Sequence, residues 1–359
     1  MTDGGSDRSA GDRSAGVRSA GRGSSGVRDQ LTYAAYAAGW GAVKKLPEPV
    51  AERLFRRIAD FTWKRRGKSV LRLEANLRRV RPKATDAEIA ELGRAGMRSY
   101  LRYWCESFRM PVWSEERIRG SFDPEFIERL DQAMASGRGA VLALPHMGNW
   151  DLAGAWVVVR GYPFSTVAER LRPEKLFDRF VAYREGLGME VLPLTGGANT
   201  LATLARRLRA GGLVCLVGDR DLSASGVDVE FMGEAARMPA GPAVLAAQTG
   251  AALLPVTLWY DGTPVMKGRV HAEIPVPESG SKREKTAVMT QALADVWSEG
   301  VREHPEDWHM LQRFWLADVD QDRLRPTAAD PDNGDAGDGA TGGPDGAGAR
   351  PATGAGAGS

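Results

Sequence analysis

The sequence contains few of the residues that build disulfide frameworks or metal sites. It has two cysteines, Cys105 and Cys215, and both lie in apolar segments. Such a pair predicts neither a disulfide scaffold nor a zinc site. The four histidines, at positions 146, 271, 304 and 309, lack the spacing of metal ligands. We therefore expect no bound metal.

Several signals of other protein classes are also missing. Lysine and arginine number 48 against 46 aspartates and glutamates, and this balance does not indicate nucleic-acid binding. No G-x-S-x-G elbow is present to form an acyl-serine, and no G-x-G-x-x-G opens a helix after a strand. These absences argue against a nucleic-acid-binding protein, a serine hydrolase and a dinucleotide enzyme. We expect no permanently bound cofactor.

Membrane-crossing and export signals are likewise not found. No run of 18 or more apolar residues exists that could span a bilayer. The first residues lack the apolar core of a secretory signal. We therefore expect a protein without a spanning helix.

Composition separates a central domain from two low-complexity ends. The tetrapeptide Arg-Ser-Ala-Gly recurs at 8–11, 13–16 and 18–21, and the C-terminal end is rich in Gly, Ala, Asp and Pro. Both ends have too little apolar surface to pack. We predict disordered tails at 1–29 and 319–359. The central domain would occupy 30–318, as one large domain or two small ones.

Apolar runs and helical patterns alternate through the central domain. Strands are predicted at Gly139–Leu144, Phe164–Ala168, Glu190–Leu194, Leu213–Val217 and Ala252–Tyr260, and helices at Pro173–Leu187, Asn199–Ala210, Gly241–Thr249 and Lys285–Glu303. This alternation predicts an α/β fold in which helices flank a mostly parallel central sheet.

The segment before these strands is amphipathic and basic. Helices are predicted at Leu31–Val43, Pro47–Arg66 and Asp86–Phe108, and the stretch Arg56–Lys83 is strongly basic. Aromatic residues beside lysine and arginine suit a helix that rests on an anionic membrane surface. Packing against the core and a solvated helix face are equally open interpretations.

The sharpest chemical signal is a histidine at the end of a buried strand. The apolar run Val141–Leu144 leads into Pro145 and His146, and Asp151 follows five residues later. Ligands of α/β sheets bind at such strand ends. With Asn149 as a helix N-cap, His146 and Asp151 can converge, so that the carboxylate orients the ring. The pair could take a proton from a hydroxyl and direct its oxygen to an acyl carbonyl; a structural histidine is the alternative.

The motif resembles the HxxxxD/E motif of the lysophospholipid and lipid A acyltransferase superfamily. More closely, the chain is similar to actinobacterial phosphatidylinositol mannoside acyltransferases. The matching blocks occur in family order between about Gln30 and Leu316: Leu144–Gly154, Thr166–Pro173, Tyr183–Gly188, Val191–Leu194, Asp219–Leu222, Arg237–Pro242 and Asp307–Gln312. The resemblance implies an α/β core with an amphipathic helical face on the membrane. It also implies transfer of a long acyl group, such as palmitoyl, from acyl-CoA to a mannose hydroxyl of a phosphatidylinositol mannoside.

One residue departs from the family pattern. The family pairs its catalytic histidine with a glutamate, and the aligned residue here is Asp219, whose side chain is one methylene shorter. Either the backbone lies closer, or Asp221 or Asp151 orients His146. We expect Asp219 to be the principal partner.

Other polar residues are candidate substrate ligands. Glu169 could accept hydrogen bonds from sugar hydroxyls, and Arg172, Arg184 and Arg220 could hold the phosphates of the lipid or of coenzyme A. The turn Arg237–Pro242 opens a helix whose free amides could bind an anion or the thioester oxygen. A surface salt bridge and a tight structural turn are the alternatives.

Large apolar residues beside the motif are candidates for an acyl-chain groove. They are Met147, Trp150, Leu152 and Trp156, and each buried methylene of a lipid chain would contribute about 0.8 kcal/mol. Simple packing of the helix on the sheet explains the same residues.

The mechanism that follows is direct transfer in a ternary complex, with His146 as general base. A peripheral position on the cytoplasmic face of the cell membrane, where acyl-CoA is available, fits the expected lack of a spanning helix. Another glycolipid or a lysophospholipid as acceptor is an alternative. A non-catalytic lipid-binding protein on the same fold is a second one.

Overall fold

The computed structural model describes residues 39–168, 174–193, 200–221 and 226–318. These residues form a seven-stranded sheet and a separate two-stranded sheet. The strands are β1 (Phe122–Glu125), β2 (Ala140–Leu144), β3 (Phe164–Ala168), β4 (Glu190–Pro193), β5 (Leu213–Val217), β6 (Val227–Phe231), β7 (Glu234–Met238), β8 (Ala252–Tyr260) and β9 (Met266–Val270). The predicted tails at 1–29 and 319–359 lie outside the described residues, so the domain boundaries stay predictions.

Helices precede the sheet and then alternate with its strands. Helix α1 is described over residues 39–45. The others are α2 (Glu48–Lys64), α3 (Lys68–Val80), α4 (Asp86–Arg109), α5 (Glu115–Gly120), α6 (Glu128–Ala135), α7 (Trp150–Val159), α8 (Glu174–Glu185), α9 (Thr200–Arg209), α10 (Gly241–Thr249) and α11 (Lys282–Glu303). Within the described ranges, no helix is long and apolar enough to cross a membrane.

The large sheet has the strand order β1-β9-β8-β2-β5-β3-β4. Neighbouring strands are parallel except β8 and β9, which a short connection joins as an antiparallel pair. Strand β2 lies inside the sheet between β8 and β5, and all its residues are buried. Its continuous apolar run reflects this burial on both faces. The predicted α/β fold with a mostly parallel sheet is confirmed.

The N-terminal helices build an apolar cluster of their own. Helix α2 buries Ala51, Phe55 and Ala59 and packs on α4, and Trp40 of α1 packs in the same cluster. For Phe55 and Trp40, the structure therefore agrees with the alternative that the aromatic residues pack inside the protein. Phe61 nevertheless leaves 54% of its surface exposed, which packing against the core does not explain.

Capping residues account for where the two longest helices begin. Thr85 and Glu88 form a reciprocal capping box at the start of α4, and Ser281 and Glu284 form another at the start of α11. Each box satisfies backbone amides that the first helical turn leaves without partners.

Some elements lie outside the sequence prediction. Strand β1 is only four residues long and contains Pro124, which is unusual inside a sheet. Strands β6, β7 and β9 are short and carry charged residues, and helix α3 lies within the basic stretch. Continuous apolar runs identify the buried central strands but not these shorter, partly solvated ones.

Gly300 offers a test of the packing between α11 and β8. Alanine normally stabilises a helix interior over glycine by about 0.5–1 kcal/mol. A Cβ at position 300 would lie 2.5 Å from Thr257 Cγ2, and such overpacking costs about 1–3 kcal/mol. We expect Gly300→Ala to lower the free energy of unfolding in urea. The control Gly120→Ala places its Cβ in open space and should change stability by less than about 0.5 kcal/mol. Stabilisation by Gly300→Ala would contradict the close contact between α11 and Thr257.

Candidate active site

His146 and Asp219 meet because they follow neighbouring parallel strands. His146 comes two residues after β2, and Asp219 comes two residues after β5. The register pairs Leu144 with Val217 at the ends of these strands. The side chains therefore emerge side by side at the carboxyl edge of the sheet, with 2.5 Å between His146 Nδ1 and an Asp219 carboxylate oxygen.

Asp219 is fully buried, yet hydrogen bonds keep it ionised. Its Oδ1 accepts from the His146 ring, and its Oδ2 accepts from the His146 amide and from Trp308 Nε1, each at 3.0 Å. Burial alone would raise the pKa of Asp219, but the charge on His146 and these hydrogen bonds hold the pKa below its ordinary value. The predicted pairing with Asp219, rather than Asp221 or Asp151, is the one in the structure.

The hydrogen bond to Asp219 determines which ring nitrogen of His146 is free. A carboxylate only accepts, so Nδ1 of the neutral imidazole carries the hydrogen and Nε2 keeps its lone pair. The side chain of His146 is 37% exposed, whereas that of Asp219 has no exposure. A substrate can therefore reach the histidine but not the carboxylate.

The turn that carries His146 requires a glycine. Gly148 has φ +54°, and a Cβ there would lie 2.9 Å from Leu258 Cβ. Asn149 then begins α7 as its N-cap, since its Oδ1 accepts from the Leu152 amide at 3.0 Å. The predicted N-cap is confirmed. Its amide group also donates to Glu106, which ties the start of α7 to α4.

Asp151 does not converge on His146, which corrects the geometry expected from the motif spacing. Its carboxylate is buried and accepts hydrogen bonds from Tyr103 Oη at 3.0 Å and Arg184 Nε at 2.8 Å. In the first turn of α7 this side chain faces α4 and α8 rather than the sheet edge. Asp151 therefore clamps helices together.

Arg184 forms the other half of this clamp. Burial disfavours its charge, but the neighbouring Asp151 raises the pKa of Arg184 above its ordinary value. The structure thus shows Arg184 in an interhelical ion pair, and its expected phosphate contact stays a prediction.

Of the remaining predicted substrate ligands, only Arg220 lies among the described residues. Arg220 follows Asp219 directly, and its Nε donates to the carbonyl of Arg313. Glu169 and Arg172 lie outside the described residues. Their roles with sugar and phosphate also stay predictions.

The proposed acyl-groove residues have different surroundings. Met147 and Leu152 are buried in the core, with 0% and 1% exposure, so they do not line an open groove. Trp156 packs edge-on against Phe122, as the packing alternative holds. Trp150 lies beside His146, with 5.5 Å between the two ring centroids.

The block Asp307–Gln312 matches the family in sequence, and the structure shows what its residues contact. Asp307 accepts hydrogen bonds from Ser99 Oγ at 2.5 Å and from the Tyr260 amide at 2.9 Å. Ser99 also bonds His309 Nε2 at 2.8 Å. Burial raises the pKa of Asp307 to about 7 and lowers the pKa of His309 to about 3. Both groups are therefore predominantly neutral in weakly acidic solution.

One group of potential metal ligands lies near this block. Across the described ranges, His304, Glu306 and Asp307 have ligand atoms within 4.8 Å of one another. Both carboxylate oxygens of Asp307 already accept hydrogen bonds, and the group excludes His146 and Asp219. The arrangement gives no reason to assign a metal to the reaction.

Comparison with known proteins identifies the family of this chain. A model of the bacterial lipid A biosynthesis acyltransferase family matches residues 24–317. The chain belongs to this family. It is an acyltransferase, and the ordered motifs around His146 and Asp219 are those by which the sequence resembles such enzymes.

Two relatives are similar along nearly their whole length. The phosphatidylinositol mannoside acyltransferase of Mycolicibacterium smegmatis is 48% identical over 295 residues, which cover 82% of this chain and 94% of the relative. A protein of the same name from Mycobacterium tuberculosis is 46% identical over 302 residues, covering 83% and 93%.

Because Asp307 is buried, its raised pKa should make the free energy of unfolding depend on pH. Its folded pKa of about 7 exceeds the ordinary 3.8. Its contribution to stability is therefore constant below pH 3.8, declines as the pH rises to about 7, and is level above that. Asparagine stays neutral and can satisfy both hydrogen-bond partners. The gain in free energy of unfolding on Asp307→Asn should be larger at pH 8 than at pH 5 by about 2–3 kcal/mol. Urea denaturation at both pH values measures it, and an equal gain at both would refute the buried titration.

Proposed function

We propose that this acyltransferase moves a long acyl chain from acyl-CoA to a mannose hydroxyl of a phosphatidylinositol mannoside, with His146 as general base. The two relatives named for this acceptor are 46–48% identical and covered over more than nine-tenths of their length. This similarity supports the acceptor class. Palmitoyl-CoA is the donor we expect.

One observation carries the mechanism: an accessible imidazole whose Nδ1 is held by a buried carboxylate. Nε2 of His146 removes the proton from the mannose hydroxyl while the oxygen attacks the thioester carbonyl carbon. The tetrahedral intermediate collapses as its C–S bond breaks. The thiolate of coenzyme A then receives the proton from His146. Asp219 stays ionised throughout and stabilises the imidazolium that forms between the two proton transfers.

The cysteines support direct transfer rather than an acyl-cysteine intermediate. Both thiols are buried. Burial raises the pKa of Cys105 to about 12 and that of Cys215 still further above its ordinary value. Since the thiolate is the nucleophilic form, neither residue is suited to carry the acyl group.

The direct test is an assay of purified protein with palmitoyl-CoA and a panel of acceptors, with products identified by mass spectrometry. The panel contains a phosphatidylinositol mannoside, an unrelated glycolipid and a lysophospholipid. We expect acylation of the mannoside on its sugar. Acylation of the lysophospholipid alone would contradict the proposed acceptor, and no turnover of any acceptor by folded protein would favour a lipid-binding role.

His146→Ala should lower kcat by about a hundredfold to ten-thousandfold, because a general base contributes that much. Asp219→Asn should also lower it strongly, since the ring loses the partner that holds its tautomer. His304→Ala is a matched control, because His304 is a partly exposed histidine stacked on Trp259 outside the dyad. It should retain activity near wild type. A folded His146→Ala variant within about tenfold of wild type would exclude a base role.

A stripe on α2 supports peripheral attachment to the membrane. Val50, Leu54 and Phe61 are 45%, 41% and 54% exposed and recur at helical spacing. Exposed Arg57 lies within this spacing, and the Arg65 guanidinium sits over the Phe61 ring at 4.9 Å. Apolar side chains flanked by cations match the interface of an anionic bilayer. Use of acyl-CoA would place this surface on the cytoplasmic face.

Vesicle flotation tests this attachment. Binding to anionic vesicles should succeed at low salt and decline at high salt, because screening weakens attraction by the basic residues. Phe61→Ser should weaken binding roughly fivefold, which corresponds to the loss of about 1 kcal/mol of apolar burial. The control Val288→Ser removes an apolar residue that is 57% exposed on α11 and should leave binding unchanged. Equal losses in both variants would contradict a specific role for α2.

A further inference from the structure

Residues Asp307–His309 run along the turn that carries His146 and are bonded to it on both sides. The carbonyl of Asp307 accepts from the Gly148 amide at 3.0 Å, and the His309 amide donates to the carbonyl of His146 at 2.7 Å. Between these bonds, Met147 and Trp308 form an antiparallel bridge. The backbone around the proposed base is thus fixed by a segment about 160 residues away in the chain.

The middle residue of this segment also reaches the other member of the dyad. Trp308 Nε1 donates to Asp219 Oδ2 at 3.0 Å, and the His146 amide donates to the same oxygen. The other oxygen faces the imidazole. Donors on both oxygens fix the plane of the carboxylate and direct Oδ1 at the ring.

The indole itself has little freedom to move. Trp308 has no exposed surface and packs against Phe231, Phe314 and Trp315, with ring centroids 5.8, 5.0 and 5.9 Å away. Dense packing of this kind holds a side chain in one rotamer. The donor is therefore aimed at Asp219 before any substrate binds.

We infer that Trp308 is a positioning residue of the acyl transfer, acting through Asp219 to hold the His146 ring. This inference rests on the proposed role of His146 as base. The orientation of the carboxylate matters most when the imidazolium forms, so Trp308 should affect kcat rather than KM. A tryptophan that only fills the core would affect stability without this selectivity.

Trp308→Phe removes the donor and keeps an aromatic ring. We expect kcat to fall about tenfold, the effect of losing one hydrogen bond to a charged group, with little change in KM. Trp297→Phe is the matched control. Trp297 is equally buried, and among the described residues its indole nitrogen has no hydrogen-bond partner. The kcat of the Trp297→Phe variant should therefore stay within about twofold of that of the wild type.

Two further readouts separate positioning from packing. A carboxylate that loses a donor attracts the imidazolium proton more strongly, so the acid limb of the kcat–pH profile should move to higher pH. In the double variant, Trp308→Phe should add little to the loss of kcat that Asp219→Asn causes alone, because both substitutions act through the same carboxylate. The nearby titratable groups Asp307 and His309 are present in every variant compared.

The outcomes are distinct. A kcat in Trp308→Phe equal to that of Trp297→Phe overturns the inference, as do an unchanged pH profile and fully additive losses. If Trp308→Phe does not fold, benzothienylalanine at position 308 replaces the N–H by sulfur in a ring of the same shape, and the same tests apply. Activity in His146→Ala would instead refute the proposed base. A dead His146→Ala beside a fully active Trp308→Phe refutes only the positioning role.

Discussion

The hydrogen bond between His146 and Asp219 is the interaction on which the site depends. An isolated buried carboxylate is strongly unfavourable, because it loses its hydration. Here the ring and amide of His146 and the indole of Trp308 replace that hydration. The register of β2 and β5 brings the two side chains together at the sheet edge. A buried anion is therefore stable only while the dyad is assembled, which couples the local fold to the chemistry.

The two ends of the HxxxxD motif have different duties in this structure. His146 is accessible at the sheet edge, whereas Asp151, in the first turn of α7, accepts hydrogen bonds from Tyr103 and Arg184. Asn149, between them, caps α7 and bonds Glu106 of α4. The carboxylate of the motif thus holds α7 on α4 and α8, and this clamp helps to keep the turn that presents the histidine in one place.

Sequence patterns predict the parts of this molecule that depend on local physics. The buried runs of β2 and β5, the N-cap at Asn149 and the place of His146 at a strand end follow from apolar continuity and side-chain chemistry. The resemblance supplied Asp219. The expected direction of Asp151 is wrong, because spacing alone does not fix which neighbours surround the first turn of a helix. The role of Asp307–His309 cannot be predicted from the sequence, because its backbone bonds join residues far apart in the chain and such bonds leave no local pattern.

The short side chain of Asp219 affects how His146 is held. Although an aspartate is one methylene shorter than a glutamate, the Asp219 side chain reaches the ring, and the amide of the same histidine lies 3.0 Å from its second oxygen. One carboxylate therefore accepts hydrogen bonds from both the ring and the backbone amide of His146. Two such bonds restrict rotation of the imidazole more than a single bond would. A side chain with fewer rotatable bonds also loses less conformational entropy when it is fixed. The cost of the shorter reach is that the backbones of the two strand ends must stay close. The Asp307–His309 segment opposes their separation, because its backbone bonds the His146 turn while its Trp308 donates to Asp219.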